Sequence, residues 1–210
     1  NGTVIASIAA GVADDAAGND SVASTSTDNT VTYDATAPDT TITAGPDDLT
    51  NSNDPSFSFS SSETGGSFTC QLDGRPAAPC ATPQSYTGLA DGPHTFTVFA
   101  SDAAGNADAS PATDSWVIDT SGPETTINSG PAGLTSDNTP AFTFSSEPGA
   151  TFACRLDNGD WATCVSPLEY GVLADGPHTF SVRATDAAGN TGPAAERAFW
   201  GVKAVDLTTG

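Results

Sequence analysis

The chain has 210 residues, of which 26 are acidic and 5 basic, giving a formal net charge of −21. Such a surface repels phosphate backbones and anionic lipid, which are bound by clustered Lys and Arg, so nucleic acid is excluded as a partner. Of the acidic residues 21 are Asp and 5 are Glu. That bias favours turns and caps over helices.

Residues 1–37 open with the apolar run Val4-Ile-Ala-Ser-Ile-Ala-Ala-Gly-Val12, with no basic residue before it. The run is too short to cross a membrane, and without a basic stretch before it no signal peptide is visible. With no Met anywhere, the chain reads as a fragment of a longer mature protein. Asp15-Ala-Ala-Gly-Asn19 and Val31-Thr-Tyr-Asp34 anticipate segments found again downstream. Residues 1–37 are therefore expected to be the C-terminal strands of a preceding domain. A hairpin on its own leaves pairing edges open, so the segment is either a cut domain or an element completed by strands of another chain.

From residue 38 the sequence repeats with a period of about 84 residues. Phe68-Thr-Cys-Gln-Leu-Asp73 returns as Phe152-Ala-Cys-Arg-Leu-Asp157, and Leu89-Ala-Asp-Gly-Pro-His-Thr-Phe96 as Leu173-Ala-Asp-Gly-Pro-His-Thr-Phe180. Asp102-Ala-Ala-Gly-Asn106 returns as Asp186-Ala-Ala-Gly-Asn190. This divides the chain into repeats at 38–120 and 121–203, with 204–210 as a tail or the start of a further strand. Period-2 alternation predicts strands throughout. Phe57 and Phe59 share a face, as do His94, Phe96, Val98 and Ala100, and their counterparts behave alike. The replacement of Phe99 by Arg183 marks the opposite, solvated face. Trp116 with Ile118, and Trp200 with Val202, are expected to face inward on the last strand of each repeat. Turn signals such as Gly45-Pro46, Asp91-Gly-Pro93 and Asp175-Gly-Pro177 recur between the strands, and no helical pattern intervenes. The predicted fold is all-β, with tandem antiparallel sandwiches of about seven strands each. Pro38 and Pro123 stiffen the two joints.

Cys70 and Cys80 are ten residues apart, as are Cys154 and Cys164. A Cys pair within each repeat predicts one local disulfide per repeat and an oxidising, extracellular or cell-surface setting. The spacing lacks the Cys-x2-Cys knuckle of a zinc site, and no His stands beside it.

These strings together resemble the tandem bacterial immunoglobulin-like repeats of secreted and surface-anchored proteins. The resemblance runs through "TTI", the Cys-x-Leu-Asp strand, "DGPHTF" and "DAAGN", and it fades near residue 203. Residues 1–37 look like the end of a related repeat of a slightly different subtype. The resemblance implies an Ig-like fold and a role in stalks and adhesins, and names no ligand.

Catalysis finds no support: His94 and His178 stand at the same place in both copies, and no motif sets a nucleophile beside them. Covalent Lys–Asn crosslinks are ruled out by the single lysine, Lys203. Calcium is the cofactor to test. Asp34 with Asp39, and Asp119 with Glu124, crowd the joints, while Asp102, Asn106, Asp186 and Asn190 bracket the Asp-Ala-Ala-Gly-Asn loops. Those loops also account for themselves as hairpin turns. Trp161 is the one aromatic placed to meet a sugar, or else to shield the disulfide. The sequence reads as a non-enzymatic structural module of a stalk, adhesin or surface fibre. The partners expected are neighbouring Ig-like repeats in the same or an adjacent chain, including a homopolymer joined by strand exchange. A carbohydrate- or partner-binding module is the other alternative, and no segment is suited to membrane insertion.

Overall fold

The computed structural model describes residues 2–7, 9–23 and 30–201. The expectations attached to Val202, Lys203 and the tail 204–210 lie outside the described residues. Among the described residues every regular element is a strand. Among the described residues no helix is long and apolar enough to cross a membrane.

At the N-terminus β1 (Gly2–Ile5) and β2 (Thr30–Tyr33) form an antiparallel pair with Val4 opposite Val31. The first repeat follows with β3 (Thr40–Ala44), β4 (Leu49–Thr50), β5 (Ser56–Ser61), β6 (Ser67–Leu72), β7 (Ala78–Cys80), β8 (Gln84–Ser85), β9 (Gly92–Ser101) and β10 (Ala112–Ile118). They make one sheet in the order β4-β10-β9-β6-β7 and a second in the order β3-β5-β8. The second repeat copies this plan. Its strands are β11 (Thr126–Ser129), β12 (Gly133–Thr135), β13 (Ala141–Ser145), β14 (Thr151–Leu156), β15 (Ala162–Cys164), β16 (Leu168–Glu169), β17 (Gly176–Thr185) and β18 (Ala195–Gly201). The sheets run β12-β18-β17-β14-β15 and β11-β13-β16. Each repeat is thus an Ig-like β-sandwich of eight strands, three of them only two or three residues long. One pairing departs from the antiparallel plan: β4 runs parallel to β10, and β12 parallel to β18. Gly45-Pro46 and Gly130-Pro131 stand between these edge strands and the strands that precede them in the chain, β3 and β11, which belong to the other sheets.

Contacts divide the chain into two compact units. One comprises Asn1–Gly45, Ser56–Gln84 and Thr95–Asp114, and the other Pro46–Pro55, Ser85–His94 and Ser115–Gly210. In the first unit Phe57 stacks on Phe96 with centroids 4.1 Å apart, and Phe59 meets Phe68 edge-on at 5.0 Å. In the second, Phe142 stacks on Phe180 at 4.1 Å and Phe144 meets Phe152 at 5.0 Å. Phe142, Phe144, Cys154, Phe180, Val182 and Phe199 form its buried cluster. Alternation along the strands delivers these rings to one face, because successive side chains point to opposite sides.

The last strand corrects one expectation. Trp200 is 50 % exposed, and Phe199 takes the inward place held by Trp116 in the first repeat. Trp116 packs on His94 at 5.5 Å and Phe199 on His178 at the same distance. The second repeat is one residue shorter between Asn190 and the start of β18 than the first is between Asn106 and β10. The two aromatic residues are adjacent, and a one-residue slip exchanges the faces of a strand.

Both disulfides form, Cys70–Cys80 and Cys154–Cys164. Each ties a central strand to the edge strand beside it, β6 to β7 and β14 to β15. Replacing Cys154 and Cys164 together by Ser is expected to cost about 2.5–3 kcal/mol, the loop-closure value for about 11 residues. Urea titration of the variant against the wild type measures it, and an unchanged midpoint would contradict it.

Candidate functional site

The chemistry of the chain gathers in the Asp-Ala-Ala-Gly-Asn loops. Each is closed by a bridge between its flanking residues: Asp14 with Asp20, Ser101 with Ala107, and Thr185 with Thr191. In the loop of the first repeat the Asp102 carboxylate accepts from the Asn106 backbone N–H at 2.8 Å and from its side-chain Nδ2 at 2.7 Å. The Asp186 carboxylate does the same with Asn190 at 2.8 and 2.9 Å. Asp15 repeats the pattern with Asn19 at 3.0 and 2.9 Å. Gly18, Gly105 and Gly189 take φ of 80°, 94° and 93°, a backbone region that glycine enters without strain.

The loops also do something that their local sequence does not announce. An Asn side-chain amide has two donor hydrogens, and the carboxylate engages one. The Asn106 Nδ2 also donates to the Asp34 carbonyl at 3.1 Å, and the Asn190 Nδ2 to the Asp119 carbonyl at 2.7 Å. Asp34 and Asp119 are the residues on which β2 and β10 hand over to the linkers. In both places the same side chain therefore ties the residue that ends an exit strand to an Asp-Ala-Ala-Gly-Asn loop about 71 residues further along the chain.

Each joint has a second hold. At the first, the buried Asp108 carboxylate accepts from the Thr40 N–H at 3.0 Å, and the Thr40 hydroxyl accepts from the Ala100 N–H at 3.1 Å. At the second, Thr125 accepts likewise from the Ala184 N–H at 3.0 Å. Gly192 stands where Asp108 stands in the first repeat, and a Cβ there would overlap the Pro123 carbonyl. Asp91, in the Asp-Gly-Pro turn, accepts from the Thr120 hydroxyl at 2.8 Å and from the Ser121 hydroxyl at 3.2 Å.

These bonds set the acidity of the carboxyls. The Asn106 side chain holds Asp102 below the usual carboxylate range, against an opposing effect of desolvation. Desolvation raises Asp186, but bonds from the Asn190 side chain and backbone outweigh it and leave the group lowered. The Thr120 hydroxyl lowers Asp91. His178 is raised, first by the bond from its ring to the Ala174 carbonyl and then by Asp157. Its Nε2 lies 2.9 Å from that carbonyl and its Nδ1 3.1 Å from the Asp157 carboxylate.

The carboxylates expected to hold calcium are only partly brought together. One oxygen each from Asp34, Glu63 and Asp102 lie within 4.8 Å of one another, the only such group among the described residues. Glu63 enters it from the β5–β6 loop and carries no sequence signal. Asp39 is not a member, and Asp119, Glu124 and Asp186 form no corresponding group of acidic side chains among the described residues. Trp161 is half-buried, with the guanidinium carbons of Arg155 and Arg183 at 4.6 and 4.4 Å from its ring centroid.

No family model matches the sequence, and no curated protein matches it. Among solved structures the chain is similar to the fibronectin(III)-like modules of Clostridium thermocellum CbhA. That match has 16% identity and a TM-score of 0.45, covering 79% of this chain and 95% of that one. It is also similar to a structure from a 1.5-MDa bacterial ice-binding adhesin, with 17% identity and a TM-score of 0.42, covering 71% of this chain and 57% of that one. A third similar structure holds the FN1–FN3 domains of chicken CNTN1, with 11% identity and a TM-score of 0.29, covering 78% and 65%.

Because the folded state raises the His178 pKa, its contribution to stability is full below about 6.5, the unfolded value, and is lost as pH rises through the folded value. The stability difference between wild type and His178→Gln should therefore shrink between pH 6 and 8. A difference independent of pH would contradict the assignment.

Proposed function

We propose that the chain is a non-enzymatic, extracellular spacer, a run of Ig-like units within a stalk, adhesin or surface fibre. The observation that carries this reading is the recurrence at both linkers of one bond, from the loop Asn to the carbonyl of the residue that follows an exit strand. A catalytic protein has no need to repeat its joints, whereas a spacer works only if each joint resembles the last. The disulfides support an oxidising compartment. The histidines support a structural role, since the rings of His94 and His178 bond to the carbonyls of Ala90 and Ala174. The acidic surface keeps such a protein soluble and apart from its neighbours.

The test is small-angle scattering with light scattering on the wild type and on the Asn106→Ala, Asn190→Ala double variant. The spacer reading expects a monomer whose scattering changes on substitution to that of a chain with looser joints. Identical profiles would remove the Asn bonds from the account.

A second reading rests on the N-terminal hairpin, where Val4, Val31 and Tyr33 lie on one face of β1–β2 and are 62%, 66% and 63% exposed. Strands from an adjacent chain would cover that face and join molecules into a filament. This reading predicts concentration-dependent polymers that Val31→Asp abolishes. A monomer at all concentrations contradicts it.

Calcium rests on Asp34, Glu63 and Asp102 alone. If the ion stiffens the first joint, millimolar calcium raises the melting temperature and Glu63→Gln removes the rise. A melting temperature indifferent to calcium and to chelator would exclude it.

A further inference from the structure

The two repeats end their five-stranded sheets differently. In the first the edge strand is β7, with Pro79 at its centre, and in the second it is β15, with Thr163 in the same place. Bonded and unbonded pairs alternate along an antiparallel ladder, so one known bond fixes the direction of every residue in it. The Asp73 N–H donates to the Thr95 carbonyl, and the Asp157 N–H donates to the Thr179 carbonyl. The odd-numbered residues of β6 and β14 therefore bond to β9 and β17. The even-numbered Phe68, Cys70, Phe152 and Cys154 bond to the edge strands. Pro79 stands opposite Thr69 and Thr163 opposite Ala153, both unbonded pairs, so the backbone groups of Pro79 and Thr163 turn outward.

Proline at such a place has no N–H to present and closes the edge to a further strand. Thr163 presents both N–H and C=O, and among the described residues no strand pairs on that side. The residues around it are ordered by face. Cys164 reaches the buried Cys154 on the core side through its disulfide, so Trp161, Thr163 and Val165 fall on the outer face. Val165 is 73% exposed. Trp161 lies against Arg155 and Arg183, and residues 161–168 include no charged side chain. In a protein of net charge −21, this edge has no carboxylate of its own and two of the five basic residues beside it.

We propose that the β15 edge pairs with the β15 edge of a second copy of this chain, antiparallel about a two-fold axis at Thr163. Thr163 then exchanges N–H···O bonds with its own counterpart. Trp161 comes opposite Val165 of the second copy, and Val165 opposite its Trp161, so the same apolar pair forms twice on the outer face. The segment is complementary to itself, as a two-fold interface requires. The arginines beside the edge lower the repulsion that two copies of net charge −21 exert on each other. A foreign extended peptide could make the same backbone bonds, but only a second copy brings partners for Trp161 and Val165 at the matching spacing. One strand edge with two Trp–Val contacts is a small interface, so the expected Kd is on the order of 0.1 mM. Below that concentration the chain is the monomer that the spacer reading expects. Above it, neighbouring spacers would lie side by side.

The edge is independent of the spacer reading, because its residues take no part in the joints. The test is sedimentation equilibrium of the whole chain, from about tenfold below that Kd to about tenfold above it, with NMR of the same samples. The mass should rise from 20.9 kDa toward twice that value and stop there. Added salt should tighten the association, because it screens the repulsion between the two acidic copies. The Thr163 amide should become protected from exchange, and the Trp161 indole resonance should shift, as the dimer forms. Thr163→Pro copies the residue with which the first repeat folds and removes only an N–H that the sheet leaves outward. Val165→Asp sets a carboxylate opposite Trp161 without touching the backbone. Each should weaken the dimer at least about tenfold. Val31→Asp should leave it unchanged, which separates this dimer from the filament reading. The proposal is overturned by a single 20.9 kDa species across the whole range, or by association that either substitution at the edge leaves intact in a folded protein. Growth beyond a dimer that Val31→Asp does not remove would also overturn it. So would amides of 161–165 that respond to an added Val- and Thr-rich peptide but not to the chain's own concentration, since the edge would then take a foreign strand.

Discussion

A carboxylate held at the mouth of a five-residue loop is the constraint from which the joints follow. Asp102 and Asp186 are nearly buried, and a buried carboxylate is tolerable only when its oxygens are satisfied. The following Asn supplies both its backbone and its side-chain N–H, and the glycine before it takes the positive φ that brings them round. Once the carboxylate has fixed the Asn amide, the second amide hydrogen has a set direction. It points to the carbonyl of the residue that follows the exit strand, Asp34 or Asp119. Removing the carboxylate would release the amide and with it the linker.

The two joints solve the rest of the problem differently. At the first, the Asp108 side chain reaches the Thr40 N–H and so secures the start of β3. At the second, glycine replaces that residue and the Pro123 carbonyl comes close to its backbone. The Asn bond and the Thr hydroxyl bond are common to both, at Thr40 and Thr125. What is shared is therefore the hydrogen bonding that locates the chain, and what varies is the packing that fills the space. This division suits a protein whose units must be joined alike without being identical.

Much of this was legible in the sequence. The period, the strand faces led by Phe57, Phe96 and their counterparts, and the local disulfides follow from alternation and spacing. Four features were not legible, each for a physical reason. Trp200 looks like the partner of Trp116, but one missing residue after Asn190 moves the register and puts Phe199 inward. Glu63 joins Asp34 and Asp102 only through tertiary folding, since nothing in the β5–β6 loop marks it. The linking role of Asn106 and Asn190 was hidden because a hairpin turn already explains Asp, Gly and Asn at that spacing. The common position of Asp34 and Asp119 after an exit strand was the available clue. Trp161 could be seen as an aromatic in a loop, but its arginine neighbours come from β14 and β17 and needed the sheet to bring them together.

The most direct measurement is hydrogen exchange of the Asn side-chain amides by NMR in the intact chain. Asn106 and Asn190 each place Nδ2 between an Asp carboxylate and an exit carbonyl, while Asn158 is exposed and serves as the reference. The account predicts that both hydrogens of Asn106 and of Asn190 exchange more slowly than those of Asn158, with a through-bond coupling from the Asn190 Nδ2 to the Asp119 carbonyl carbon. Exchange of one hydrogen at the reference rate in both residues, with no coupling, would show that the loops do not hold the linkers.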